Sequence, residues 1–162
     1  MRLTNSAGEE LEITVSGYEF PDRDKIHTQD KWVLNWLNIA IKAKHGLGTW
    51  TATCACTLTW HLSKWIEWLE DIGARRSDDK TFLACELELQ MSVISQNPLT
   101  IQVVLAYEFR PPWLTGEKEN LSMDFVLSAD TLAAMISYLK AQLEQYPTRE
   151  VDTGDDFMNN GS

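Results

Sequence analysis

The sequence predicts an α+β domain of two layers: a mainly antiparallel sheet of roughly six strands, covered on one face by two helices. Three observations carry that expectation. Apolar and polar residues alternate in six segments, the period of a strand with one buried side. In two other segments apolar residues recur at i, i+3, i+4 and i+7, the period of an amphipathic helix. The segments fall in the order βββα-βββα, which supplies two helices for one sheet face. A chain of 162 residues suits a single domain. It is placed at 1–147, with an acidic and flexible tail at 148–162.

In "LEITVSGYEF", Leu11, Ile13 and Val15 share one face. Gly17 then breaks the phase, as at a bulge, and the apolar set moves to Tyr18 and Phe20. "PDRDKIHTQDK" reads as a charged loop. "WVLNWLNIAIKAK" reads as a second strand, with Val33, Leu37, Ile39 and Ile41 in phase, and "HGLG" as a turn. The third strand puts Trp50, Ala52, Cys54, Cys56 and Leu58 on one face, and its threonines favour extended chain over helix. A helix follows over about 60–73, with a stripe of Leu62, Trp65, Ile66, Leu69 and Ile72, Thr59 as N-cap and Gly73 as stop.

"FLACELELQMSV" reads as one strand, Leu83, Cys85, Leu87, Leu89 and Met91 inward and Glu86 and Glu88 outward. "NP" at 97–98 turns the chain. The fifth strand runs from Leu99 to Phe109, where Arg110 and the two prolines must end it. "LSMDFVLS" is the sixth strand. Ser128 caps the second helix, Asp130 lies in its first turn, and Leu132, Met135, Ile136, Leu139 and Leu143 form its stripe.

The formal net charge of −10 argues against binding nucleic acid or an anionic membrane, and permits a basic protein partner. No segment reaches the ~18 apolar residues of a membrane span, and the N-terminus lacks a secretory pattern. A cytoplasmic protein with free thiols is therefore expected of its three cysteines. Cys54-x-Cys56 and Cys85 lie on apolar faces, without the C-x₂₋₄-C spacing of a zinc knuckle, so they read as core and no metal or other cofactor is expected. There is no nucleophile elbow, P-loop or G-x-G-x-x-G, and no paired carboxylates marked for acid–base work, so no enzyme is expected.

The seven tryptophans are the remaining signal. Trp50 and Trp65 fall on core faces, Trp68 at the flank of the helix stripe, Trp36 on the opposite sheet face from Leu37, and Trp113 in the "RPPW" loop. An exposed tryptophan beside acidic residues marks a binding hot spot.

Six words in order, "NWLNIAIKA", "GTW", "LTWHLSKWIEWLE", "YEFRPPW", "DFVLS" and "LEQYP", span roughly residues 10–147. Together they resemble the WapI-like immunity family of bacterial antitoxins against wall-associated, contact-dependent toxins. Where that family often has an acidic residue after "LTW", this chain has His61. The resemblance implies a non-enzymatic cytoplasmic protein, monomeric or weakly dimeric, that binds and occludes the C-terminal domain of a cognate toxin. That domain is expected to be a nuclease with a basic groove. The partner surface is expected at Arg110, Pro112 and Trp113, at Trp36, and at the acidic side chains of Asp22, Asp24, Glu67 and Asp71. The competing expectation is a small-molecule or lipid-binding α+β domain.

Overall fold

Two four-stranded antiparallel sheets and three α-helices form the fold, in place of the single six-stranded sheet with two helices that the alternation predicts. The structure is a computed structural model and describes residues 1–151 except 24, 25, 27, 29, 77–79, 117 and 118. One sheet has the order β1(Arg2–Thr4), β2(Glu10–Tyr18), β3(Trp36–His45), β4(Gly48–Leu58). The other has β5(Thr81–Cys85), β6(Leu89–Gln96), β7(Leu99–Leu105), β8(Leu121–Val126). The helices are α1(Lys31–Asn35), α2(Thr59–Gly73) and α3(Ala129–Gln145).

Each departure from expectation has a local cause. β1 is three residues long, too short to show a period, yet it pairs with β2 and buries Leu3. Residues 31–35 look like the start of a strand. Asp30 instead caps a one-turn helix, its carboxylate accepting the Trp32 N–H at 2.8 Å. The run "FLACELELQMSV" is a hairpin, not a strand. A turn over residues 86–88 folds β6 back on β5, although it contains no glycine, proline or asparagine to signal it. A register shift between Leu83 and Cys85 also re-phases β5, so Ala84 and Cys85 are buried while Leu83 and Leu87 are exposed. The fifth predicted strand stops at Leu105. Tyr107–Phe109 form a 3-10 turn with Tyr107 at φ 46° and exposed, and Phe109 buried.

Other expectations hold. Gly17 sits at a bulge with φ 137°, a backbone state that a residue with a Cβ rarely adopts. The bulge interrupts the ladder at Val15, whose N–H donates to the Tyr138 hydroxyl of α3 at 2.9 Å. The turn at 97–98 contains a cis Asn97–Pro98 bond. Ser128 caps α3 by accepting the Thr131 N–H at 3.0 Å. Thr59, expected as the cap of α2, is instead its first residue and is fully buried.

Both sheets and all of α2's apolar stripe feed one core, in which Trp65, Phe109, Phe125, Leu11, Leu37, Leu62 and Leu69 are enclosed. Burying each such side chain stabilises the fold by roughly 2 kcal/mol relative to leaving it in water. Trp68, expected at the flank of the stripe, is inside it and stacks on Phe82 at 5.7 Å. α3 lies on α2 through Leu132, which approaches Gly73 so closely that a Cβ there would stand 2.5 Å from a methyl.

Candidate functional site

The long antiparallel pair β3–β4 separates the molecule into two ends, and the predicted partner residues divide between them. Trp36 opens β3 and pairs with Leu58 at the close of β4, while His45 pairs with Gly48 at the hairpin. These ends are about 30 Å apart at ~3.3 Å per residue.

At the hairpin end, Trp113 packs inward. Its ring meets Trp50 edge to face at 5.2 Å and covers Gly48, where a Cβ would stand 3.1 Å from the ring. The Trp50 indole N–H donates to the Phe109 carbonyl at 3.1 Å, which ties this aromatic pair to the 3-10 turn. Pro111 is buried and Pro112 is exposed. Arg110 holds its own loop, donating to the Gly116 carbonyl at 2.6 Å and to the Tyr107 carbonyl at 3.3 Å. The "RPPW" segment thus closes one end of the core.

At the other end, Trp36 is half-buried and out of phase with the fully buried Leu37. Asp22 is exposed in the β2–α1 connection, and Asp24 lies outside the described residues. The residue that dominates this end escaped the sequence reading. Trp32, projected by α1, is 56% exposed, and its ring meets Trp60 edge to face at 5.2 Å. The Lys31 ammonium stands 5.9 Å from the centre of the Trp60 ring. Trp60 heads an outward stripe of α2. Trp60, Lys64, Glu67 and Asp71 follow at i, i+4, i+7 and i+11, so they line one side of the helix. Glu67 is exposed, and Asp71 pairs with Arg76 at 3.3 Å on open surface, a contact worth little to stability. Glu67 and Asp71 therefore extend from the Trp32–Trp60 end, not from the Trp113 end. At ~1.5 Å per residue Asp71 lies about 16 Å along the helix from Trp60.

A buried amide holds this end together. Asn35 has no exposed surface. Its Nδ2 donates to the carbonyls of Lys31 at 2.8 Å and Arg149 at 2.9 Å. Its Oδ1 accepts from the Arg149 N–H at 2.7 Å and from the Thr59 hydroxyl at 3.2 Å. Thr59 also bonds Thr148 at 3.0 Å. The Arg149 guanidinium lies 3.4 Å from the centre of the Tyr18 ring and donates to the carbonyls of Phe20 and Pro21. Glu150 pairs with Lys31 at 3.4 Å and its carbonyl accepts from Arg23. Residues 148–150, placed in the tail by composition, are thus bound across this end, and the chain beyond 151 lies outside the described residues.

Two concave sites are lined by mixed charge. A cleft of about 140 Å³ lies between Arg2, Glu10, Glu12, Lys42 and Lys44, and a wider one of about 320 Å³ between the N-terminus and Asp130 of α3. Among the described residues no helix is long and apolar enough to cross a membrane.

Trp60 was legible as a surface residue, because it falls two positions before Leu62 and off the apolar stripe of α2. Trp32 was not, because its exposure depends on the one-turn helix that strand periodicity hides. No curated protein matches the chain. The profile of the immunity protein WapI-like family matches residues 2–147, which takes in both ends of the fold and α2 between them. The chain belongs to the WapI-like family of immunity proteins.

Proposed function

We propose that this protein neutralises a cognate toxin domain, a nuclease with a basic groove, by packing the Trp32–Trp60 end and the outward stripe of α2 over it. Family membership supports a toxin as the partner. The observation that carries the surface is the edge-to-face pair of exposed Trp32 and half-buried Trp60 at the head of a stripe containing Glu67 and Asp71. Large rigid rings supply buried contact area at low conformational cost, and hot spots are enriched in tryptophan. Acidic side chains around them steer a cationic partner, consistent with the net charge of −10. Trp36 and Asp22 belong to the same reading by position, whereas Arg110 and Trp113 are assigned to closing the core and Pro112 is exposed beside them. The protein acts in the cytoplasm, as a monomer or weak homodimer, by occlusion and without catalysis.

The test uses the toxin domain encoded next to this chain's gene. Growth protection and binding by calorimetry are measured for wild type, Trp32→Ala and Glu67→Lys. Trp32→Ala is expected to weaken binding by roughly thirtyfold, about 2 kcal/mol, with a change in Tm under about 2 °C. Unchanged affinity in both variants would remove this surface from the interface. No binding by the wild-type protein at low salt would remove the function itself.

A further inference from the structure

Near the same end of β4, three side chains from two different hairpins converge. β4 places Cys54 and Cys56 two residues apart, and the ladder between β3 and β4 shifts register at Cys56. The turn between β5 and β6 is clamped on the same spot, the Glu86 N–H donating to the Cys56 carbonyl at 3.2 Å. The Glu88 carbonyl accepts from the Ala106 N–H at 2.9 Å, which fixes the other side of the turn. As a result the Sγ atoms of Cys54 and Cys56 and a carboxylate oxygen of Glu88 all lie within 4.8 Å of one another. Cys85, buried at the end of β5, neighbours Cys56. Cys54 is half-buried, so the cluster opens to solvent on one side.

We propose that Cys54, Cys56 and Glu88 bind a thiophilic divalent ion of the zinc class. Thiolate and carboxylate oxygen at ~2.3 and ~2.0 Å from a tetrahedral ion stand about 3.3–3.8 Å from each other. The observed grouping needs about 1 Å of closure, within reach of a glutamate rotamer. The electrostatics point the same way. Burial holds the Glu88 carboxyl above its ordinary range, and the Glu108 carboxylate beside it adds to the effect. Burial, then the neighbouring Cys56 and the carboxylates of Glu88 and Glu108, push the Cys54 thiol up to about 12. Cys56 is driven up further, first by its bond with Cys85 and then by burial. One carboxyl and two thiols gathered in a half-buried spot disfavour each other's charged forms, and a bound cation would favour them. The C-x-C spacing by itself argues against a zinc knuckle. The fold supplies what the spacing lacks, because a third donor, Glu88, arrives from the β5–β6 turn.

A cysteine must lose its proton to ligate, so uptake of the ion by Cys54 and Cys56 releases about two protons and affinity rises with pH. The experiment titrates reduced, metal-free protein with zinc against a chromophoric zinc indicator, and with cadmium while following the sulfur-to-cadmium charge-transfer band. The proposal expects one equivalent of zinc, a cadmium–thiolate band and about two protons released. Cys54→Ser should weaken zinc binding more than tenfold and Glu88→Gln about tenfold, with circular dichroism showing both variants folded. Absence of uptake by the wild type overturns the proposal. So does uptake that Cys54→Ser and Glu88→Gln leave unchanged, which would place the ion elsewhere, such as at the His45–Glu9 pair.

Discussion

Asn35→Ala is the substitution whose cost the structure defines best. The side chain is fully buried and makes four hydrogen bonds, two as donor and two as acceptor, at 2.7–3.2 Å. Removing it leaves the Arg149 N–H and the carbonyls of Lys31 and Arg149 without these partners. The Thr59 hydroxyl keeps its bond to Thr148. Each buried group stranded in this way costs about 1–3 kcal/mol. Partial water entry reduces the total, because three of the four bonds are only partly buried. About 3 kcal/mol is therefore expected, a fall in Tm of about 6–12 °C for a chain of this size. Urea unfolding should show a lower midpoint at an unchanged slope, since the exposed surface of the unfolded chain is the same. Hydrogen exchange at the Arg149 amide should accelerate more than exchange in β3, because the strap at 148–150 opens first. The Asn35→Asp variant keeps the acceptor and turns the second edge of the amide into an acceptor facing two carbonyls. It should be no more stable than the alanine variant at pH 7, and should recover on acidification. A loss below about 1 kcal/mol for Asn35→Ala, or exchange at Arg149 no faster than wild type, would refute the reasoning.

Trp113→Ala removes the ring that covers Gly48 and packs on Trp50, and should cost about 2 kcal/mol in urea unfolding with toxin affinity changed less than threefold. Association with the toxin should slow about tenfold between ~50 and ~500 mM salt while dissociation changes little, measured by stopped-flow; a rate independent of salt would count against steering by the acidic surface. Glu88 gives a pH test. Its folded pKa is raised, so the folded state prefers the protonated form, and the penalty is absent below the unfolded value near 4.5 and complete above the folded value. Metal-free Glu88→Gln should therefore melt a few degrees above wild type at pH 7 and level with it at pH 4; equal shifts at both pH values would show that charge is not the cause.

What the sequence made legible was what repeats over several residues. The faces of β2, β3 and β7, the stripe of α2 and the caps of α3 were all set by periods or by a single residue of fixed conformational preference, Gly17 or Ser128. What stayed hidden was made by short or unpunctuated structure. The turn at 86–88 preserves apolar alternation on both sides, so the hairpin β5–β6 reads as one strand; with β1 too short to show a period, the eight strands of the described residues read as six. α1 is one turn long and draws on a cap and on Asn35, whose partners lie at Thr59 and Arg149, contacts that no local pattern encodes. The same limit fell on the predicted site. Arg110–Trp113 reads as a loop and Trp36 as the outer face of a strand, neither of which says how far apart they lie; the pairing of β3 with β4 puts them at opposite ends.

That separation explains how one chain with seven tryptophans avoids a conflict between packing and recognition. A ring contributes to stability by being covered and to recognition by being uncovered, and the two uses need different support. Trp113 is supported by another ring and by a glycine that lets it approach, so its energy is spent within the fold. Trp32 is carried on a single helical turn that cannot hold itself, since one turn fixes several dihedrals for one hydrogen bond. Its support is the Asp30 cap, the Trp60 ring and the Asn35 network, and that network includes residues 148–150. The presentation of Trp32 therefore depends on the chain just past the matched 2–147 segment. Truncation after Tyr146 removes both Arg149 partners of Asn35, the Thr148 bond to Thr59 and the guanidinium over Tyr18. It should leave the core cluster folded while weakening toxin binding by at least tenfold. A truncated protein that protects cells as well as the full chain would show that the strap does not set the position of Trp32.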